Sequence, residues 1–156
     1  MDPPLSEFVQ LEEARIRSAY AKRHGNQVRY SWFSPGHLFM IQERERHLLP
    51  ILERHGYALL EEKRILEVGC GTGYWLREFI KWGARPEHLT GVELLPERVA
   101  EAQRLCPTAV TVRRESATEL GFPNAAFDLV LESTVFTSVL DRADEATDCL
   151  RDAART

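Results

Sequence analysis

The chain has 156 residues, 44% of them hydrophobic and 28% charged, which is enough apolar material for one domain with a core and too little for two. Its formal net charge of −4 argues against a dedicated nucleic-acid surface, because phosphate contacts require Lys and Arg gathered on one face. The acidic start Met1-Asp2-Pro3-Pro4 lacks the apolar stretch of an export signal, and no apolar run approaches the ~18 residues of a membrane span, so no membrane is expected and the cytoplasm is the expected location.

Residues 1–60 read as a helical leader or cap. A first helix runs from about Ser6 to Lys22, where Leu5, Phe8, Leu11 or Glu12, Arg15 or Ile16, and Ala19 or Tyr20 make a partial apolar stripe before Gly25-Asn26 breaks it. A second has Ser34 at the N-cap and Pro35 at the first helical position, offers Leu38, Ile41, Leu48, Leu49, Ile51 and Leu52 to a core, and ends at Gly56. Pro50 inside it predicts a kink or a break. Between the two helices, Arg29-Tyr30-Ser31-Trp32-Phe33 sets large rings beside a guanidinium on a linker. Arg44, Arg46, Lys63 and Arg64 alternate with Glu43, Glu45, Glu61 and Glu62, the pattern of a solvated face rather than of a basic patch.

The most informative stretch comes next. Ile65-Leu66-Glu67-Val68 reads as a buried strand that runs into Gly69, Gly71 and Gly73, then into a helix from Tyr74 to Trp82 that stops at Gly83. Glycines at such a turn tolerate positive φ and carry no Cβ, so a ligand can lie on the backbone. A dinucleotide fingerprint would be spaced G-x-G-x-x-G. Here the spacing is G-x-G-x-G, and Glu67 sets a negative charge where a pyrophosphate would be repelled and a cation attracted. His88-Leu89-Thr90-Gly91-Val92-Glu93 reads as a second strand ending in an acid roughly 20 residues past the turn, and Pro96 opens another helix. Ala109-Val110-Thr111-Val112 reads as a third strand, and Phe127-Asp128-Leu129-Val130-Leu131 as a fourth.

These motifs, in this order, resemble those of the class I S-adenosylmethionine-dependent methyltransferases. The resemblance implies an α/β fold: a Rossmann-like class I methyltransferase sheet with an N-terminal helical leader, here apparently truncated after strand four. It divides the chain into the leader (1–60), an S-adenosylmethionine-binding Rossmann-like half-domain (61–140) and a charged C-terminal helix or tail (141–156). It also implies that the cofactor is S-adenosylmethionine, held by Glu67, Gly69, Cys70, Gly71, Gly73, Glu93, Leu94, Ser116, Ala117 and Glu132. Glu93 would take the two ribose hydroxyls. Ser116 stands where the family carries an aspartate for the adenine amino group, a departure worth about 1 kcal/mol of affinity, and Glu115 could substitute if the loop is shifted.

The implied activity is methyl transfer to the oxygen or nitrogen of a small-molecule acceptor. A general base for it would come from Glu132, Ser133 or Thr134 at the end of the fourth strand, or from His37. Tyr30 or Phe33 either covers the cofactor or acceptor or simply packs the leader onto the sheet. No Asn-Pro-Pro-Tyr-type motif is present, which lowers base amines as acceptors. Two other readings stand beside this one: a non-catalytic S-adenosylmethionine-binding module or remnant, and a nicotinamide-dependent oxidoreductase, against which Glu67 and the glycine spacing count. Cys70, Cys106 and Cys149 are odd in number, and the five histidines show no ligand spacing, so neither disulfides nor a metal site are expected.

After Leu131 no fifth strand is legible, and the residues after Asp141 are charged with little more than alanines at helical spacing. An apolar strand left at a sheet edge favours self-association. A truncated or frameshifted gene product accounts for this change of composition better than a deliberately shortened chain or a half supplied by another chain. On that account the chain need not be active.

Overall fold

Periodicity changes at Ile65 from helical to extended, and so does the architecture of the computed structural model, which describes residues 7–23, 31–133, 135 and 143–154. Helices α1 (Glu7–Arg23) and α2 (Pro35–Arg54) precede strand β1 (Ile65–Val68). Then α3 (Tyr74–Lys81), β2 (Leu89–Glu93), α4 (Pro96–Leu105), β3 (Thr111–Arg114), β4 (Leu129–Glu132) and α5 (Ala143–Ala153) follow in order. The chain forms two compact units, one of residues up to Glu13 with those from Leu60 onward, the other Ala14–Leu59. The first turns of α1 therefore group with the sheet rather than with the rest of the leader.

In the smaller unit, Pro35 opens α2 as its fixed φ favours. The helix passes through Pro50 to Arg54, so the expected break does not occur. A proline forfeits one hydrogen bond and crowds the preceding turn, but Pro50 lies close to the end, where His55 N–H still reaches Ile51 O at 3.1 Å and Gly56, at φ 82°, turns the chain out. Of the apolar positions offered to a core, Ile41 and Leu52 are buried, whereas Leu38, Leu49 and Ile51 are exposed.

The larger unit is built on one parallel sheet ordered β3-β2-β1-β4. Register sets Glu67 beside Gly91 and Leu131, and Glu93 beside Arg114. All four residues of β1 are buried, as a strand covered on both faces requires. On one face Leu66, Val68, Val92, Phe127 and Ala153 form the core, with Leu150 packed against them. On the other, Leu76 of α3 presses so close to β2 that a Cβ on Gly91 would stand 2.7 Å from its Cδ1. Asp128 ties β4 to the start of β1, accepting the Arg64 N–H at 2.8 Å while Asp128 and Leu129 N–H donate to Arg64 O.

One strand boundary is corrected. The third strand lies two residues later than Ala109–Val112, because Val110 N–H closes a turn on Pro107 O at 3.0 Å, and the strand then takes in Arg113 and Arg114. Charged side chains are tolerated there because β3 is an edge, and they discourage pairing with other chains. Helix α5 buries Ala146 and Ala153 completely or nearly so, and Ala153 packs with Leu66, Val68 and Val92 of the sheet. Beyond it, Ala154 forms a parallel bridge with Phe127. Leu129, Val130 and Leu131 on the β4 edge are half-buried.

Candidate cofactor site

The sheet changes direction of growth between β1 and β4, and ligands of open α/β sheets settle beyond the carboxyl ends of the strands at such a switch point. The glycine turn lies there. Gly69, Gly71 and Gly73 have φ of 72°, 56° and 75°, conformations that cost an L side chain steric strain and glycine none. The turn is anchored to β2, since Gly69 and Cys70 N–H both donate to Val92 O at 2.9 Å, and is closed by Gly73 N–H on Cys70 O at 2.8 Å. From behind, Cys106 Sγ lies 2.5 Å from where a Gly73 Cβ would stand and donates to Gly73 O at 3.7 Å. Val135 occupies the space of a side chain on Gly69.

Glu93, at the tip of β2, reaches the middle of that turn. Its Oε2 accepts the Gly71 N–H at 3.0 Å, and its Oε1 accepts Leu94 and Leu95 N–H at 2.9 and 3.0 Å. Arg98 of α4 brings Nη1 to 3.9 Å from Oε2 and lies against Gly71. Three amide donors and a guanidinium thus hold the carboxylate in one orientation while it keeps acceptor capacity towards a ligand.

Glu67 differs. It is 2% exposed, and its Oε2 has no hydrogen-bond partner among the described residues. Burial holds its carboxyl well above the ordinary carboxylate range. The Leu76 backbone opposes that shift, the charge of Glu93 adds to it, and Arg77 offsets it. Arg77 itself donates to Thr72 O at 2.7 Å. Burial and the same two carboxylates push the Cys70 thiol up, and burial pushes up that of Cys106.

At the β3 end, Ser116 is 3% exposed and its hydroxyl is engaged within its own turn, accepting Thr118 N–H at 3.2 Å and meeting Thr118 Oγ1 at 2.9 Å. Glu115 is engaged too, pairing with Arg113 and accepting Gly121 N–H at 3.1 Å. Both are thus engaged in local bonds, unlike the free acceptor that the aligned family aspartate would offer. Leu94 is 9% exposed and Ala117 half-buried. Glu132 turns back so that Oε1 accepts Val135 N–H, and Ser133 is half-buried beside it. Thr134 and Tyr30 lie outside the described residues. His37 is in the smaller unit, where its ring meets Trp32 edge-on at 5.4 Å, and Phe33 there is 98% exposed.

The structure also brings in residues that sequence reasoning passed over. Arg98 could have been found from Pro96, which fixes the helix start and so sets Arg98 one turn from Glu93. Val135 carried no signal. Arg114, at the tip of β3, donates to Leu94 O at 3.2 Å and to Glu13 Oε2 at 2.6 Å, a pairing across 101 residues that no local pattern announces. Among the described residues, no three His, Cys, Asp or Glu side chains gather as a metal site, and no helix is long and apolar enough to cross a membrane.

The sequence model of the family described as methyltransferase domain matches residues 65–156. No curated protein matches the chain significantly in sequence. Among solved structures, an S-adenosylmethionine-dependent methyltransferase from Mesorhizobium loti is 27% identical, with a TM-score of 0.56 over 67% of this chain and 47% of that one. An S-adenosylmethionine-dependent methyltransferase from Methanosarcina mazei is 23% identical, with a TM-score of 0.56 over 68% and 52%. The PH0226 protein from Pyrococcus horikoshii, 15% identical, has a TM-score of 0.58 over 81% and 57%. The last two likenesses concern the fold alone, and the chain spans about half the length of the structures it matches.

Proposed function

The chain belongs to the methyltransferase domain family, and we propose that it binds S-adenosylmethionine on the turn from Gly69 to Gly73 and serves transfer of its methyl group to the oxygen or nitrogen of a small molecule. The observation that carries this reading is the Gly71 N–H to Glu93 Oε2 hydrogen bond at 3.0 Å, which brings the carboxylate of the second strand onto the glycine turn of the first. The Glu93 carboxylate bonded to the turn favours a cationic ligand over a pyrophosphate, which speaks against a nicotinamide cofactor.

When bound, S-adenosylmethionine supplies a methyl carbon already activated by its sulfonium for in-line displacement. What the chain's own residues contribute is grip, orientation and the exclusion of water. The glycines leave backbone room for the donor, Glu93 accepts the ribose hydroxyls, and Leu94 and Ala117 present small apolar walls to the adenine. Because the Ser116 hydroxyl is spent on Thr118, adenine recognition falls mainly to backbone and shape. Glu132 is our choice among the candidate bases for drawing a proton from the acceptor, supported by its seat at the end of β4 and by the Val135 N–H that steadies its carboxylate.

Calorimetry with S-adenosylhomocysteine tests the cofactor half of this reading, and failure of the folded protein to bind it would remove the reading. Transfer of a labelled methyl group to small-molecule alcohols and amines tests the rest. Binding without transfer favours the second reading, a non-catalytic S-adenosylmethionine-binding module, for which the half-buried apolar β4 edge speaks as a seat for another chain. Light scattering across a concentration series would then give a mass above that of one chain.

A further inference from the structure

Two carboxylates of one residue type stand on neighbouring strands at the ligand edge, and only one is fully satisfied. Glu93 has three backbone donors. Glu67 is enclosed between the sheet and α3, with Oε2 buried and unpartnered among the described residues. The groups facing it are Glu93 from β2, Arg77 from α3, and the thiols of Cys70 in the turn and Cys106 beyond α4. Arg77, the cation among them, spends Nη1 on Thr72 O and reaches towards Cys106 Sγ at 4.0 Å. An enclosed carboxyl facing a second carboxylate carries its proton until a positive charge arrives.

The sulfonium donor and its product share adenosine, ammonium and α-carboxylate, but the donor bears one more positive charge. Resting on the S-adenosylmethionine reading above, we propose that Glu67 releases a proton when the sulfonium donor settles on the glycine turn and keeps it when the neutral thioether product does. The O–H bond of Glu67 breaks, the electron pair stays on the carboxylate and the proton leaves to buffer, with no change of oxidation state. Donor affinity then climbs with pH by up to about tenfold per unit, within the window between the proton affinities of Glu67 in the empty and loaded protein. Product affinity does not follow. The same group therefore sets how strongly fresh donor displaces spent product.

The test is titration calorimetry of the wild-type chain with S-adenosylmethionine and with S-adenosylhomocysteine, each in two buffers of different ionisation heat, from about pH 6 to about pH 9. The expected result is release approaching about one proton per site for the donor and close to none for the product, with a pH-dependent Kd for the donor alone. In Glu67→Gln the difference between the two ligands in proton count and pH slope disappears. Should that variant fail to fold, the wild-type proton counts decide. Equal counts for the two ligands overturn the proposal and leave the cofactor reading standing, whereas no binding of either ligand removes both.

Discussion

The last residue of β2 and the next-to-last residue of β1 are the same residue type, and the fold treats them in opposite ways. At β2, amides of the glycine turn and of the start of α4 converge on Glu93, so the side chain is held in place at the turn. At β1, Glu67 lies beneath the turn, and water that would solvate its charge is excluded. A strand tip is therefore an ionic grip only when free N–H groups of the following loop point at it. Sequence position alone does not decide which acid is charged.

The largest expected effect strikes the turn both tips share. Gly69→Val would force a branched side chain into φ 72° and into Val135, at a cost of about 3 kcal/mol in urea unfolding; near-native stability would mean that the turn is not held as described. Glu93→Ala should weaken S-adenosylhomocysteine binding about a hundredfold, because bonds to a charged acceptor are lost and three amides are orphaned. An unchanged Kd in calorimetry would shift the ribose away from β2.

Glu67→Gln should act oppositely at the two ends of the pH scale. The folded protein holds the Glu67 proton more tightly than the unfolded chain does. Its contribution to stability is thus intact below about pH 4.5, where an ordinary glutamate protonates, and is lost as pH rises towards the folded value. The variant should match wild type near pH 5 and melt about 3 °C higher near pH 8. A constant difference in Tm between those pH values would show that Glu67 is ionised throughout.

Arg98→Met removes a partly screened pair with Glu93 at 3.9 Å and should cost the ligand only about threefold in Kd. The smallest effect is expected at Ser116→Ala, about twofold or less, since its hydroxyl serves Thr118; a tenfold loss would instead return adenine recognition to that side chain.

The strand, turn and helix from Ile65 to Lys81 were legible because each depends on local chemistry: an apolar run, glycines where positive φ is needed, a helix stop at Gly83. Glu93 was legible because a crossover helix fixes the spacing between parallel strands. What escaped the sequence depends on distant or ambiguous partners. Alanines at 146 and 153 look featureless until their burial is seen. Arg113 and Arg114 look unlike strand residues until β3 proves to be an edge, and the bond from Arg114 to Glu13 joins segments with no shared pattern. Pro50 does not end α2, because a proline near a helix end costs less than one at its centre.

The cysteines behind the turn have a practical consequence. Cys70 and Cys106 are buried with thiols pushed up, whereas Cys149 is half-exposed. A disulfide dye should therefore label one site quickly and the other two only when the cradle comes apart. The chain carries its own clock for that opening, and a bound ligand should slow it.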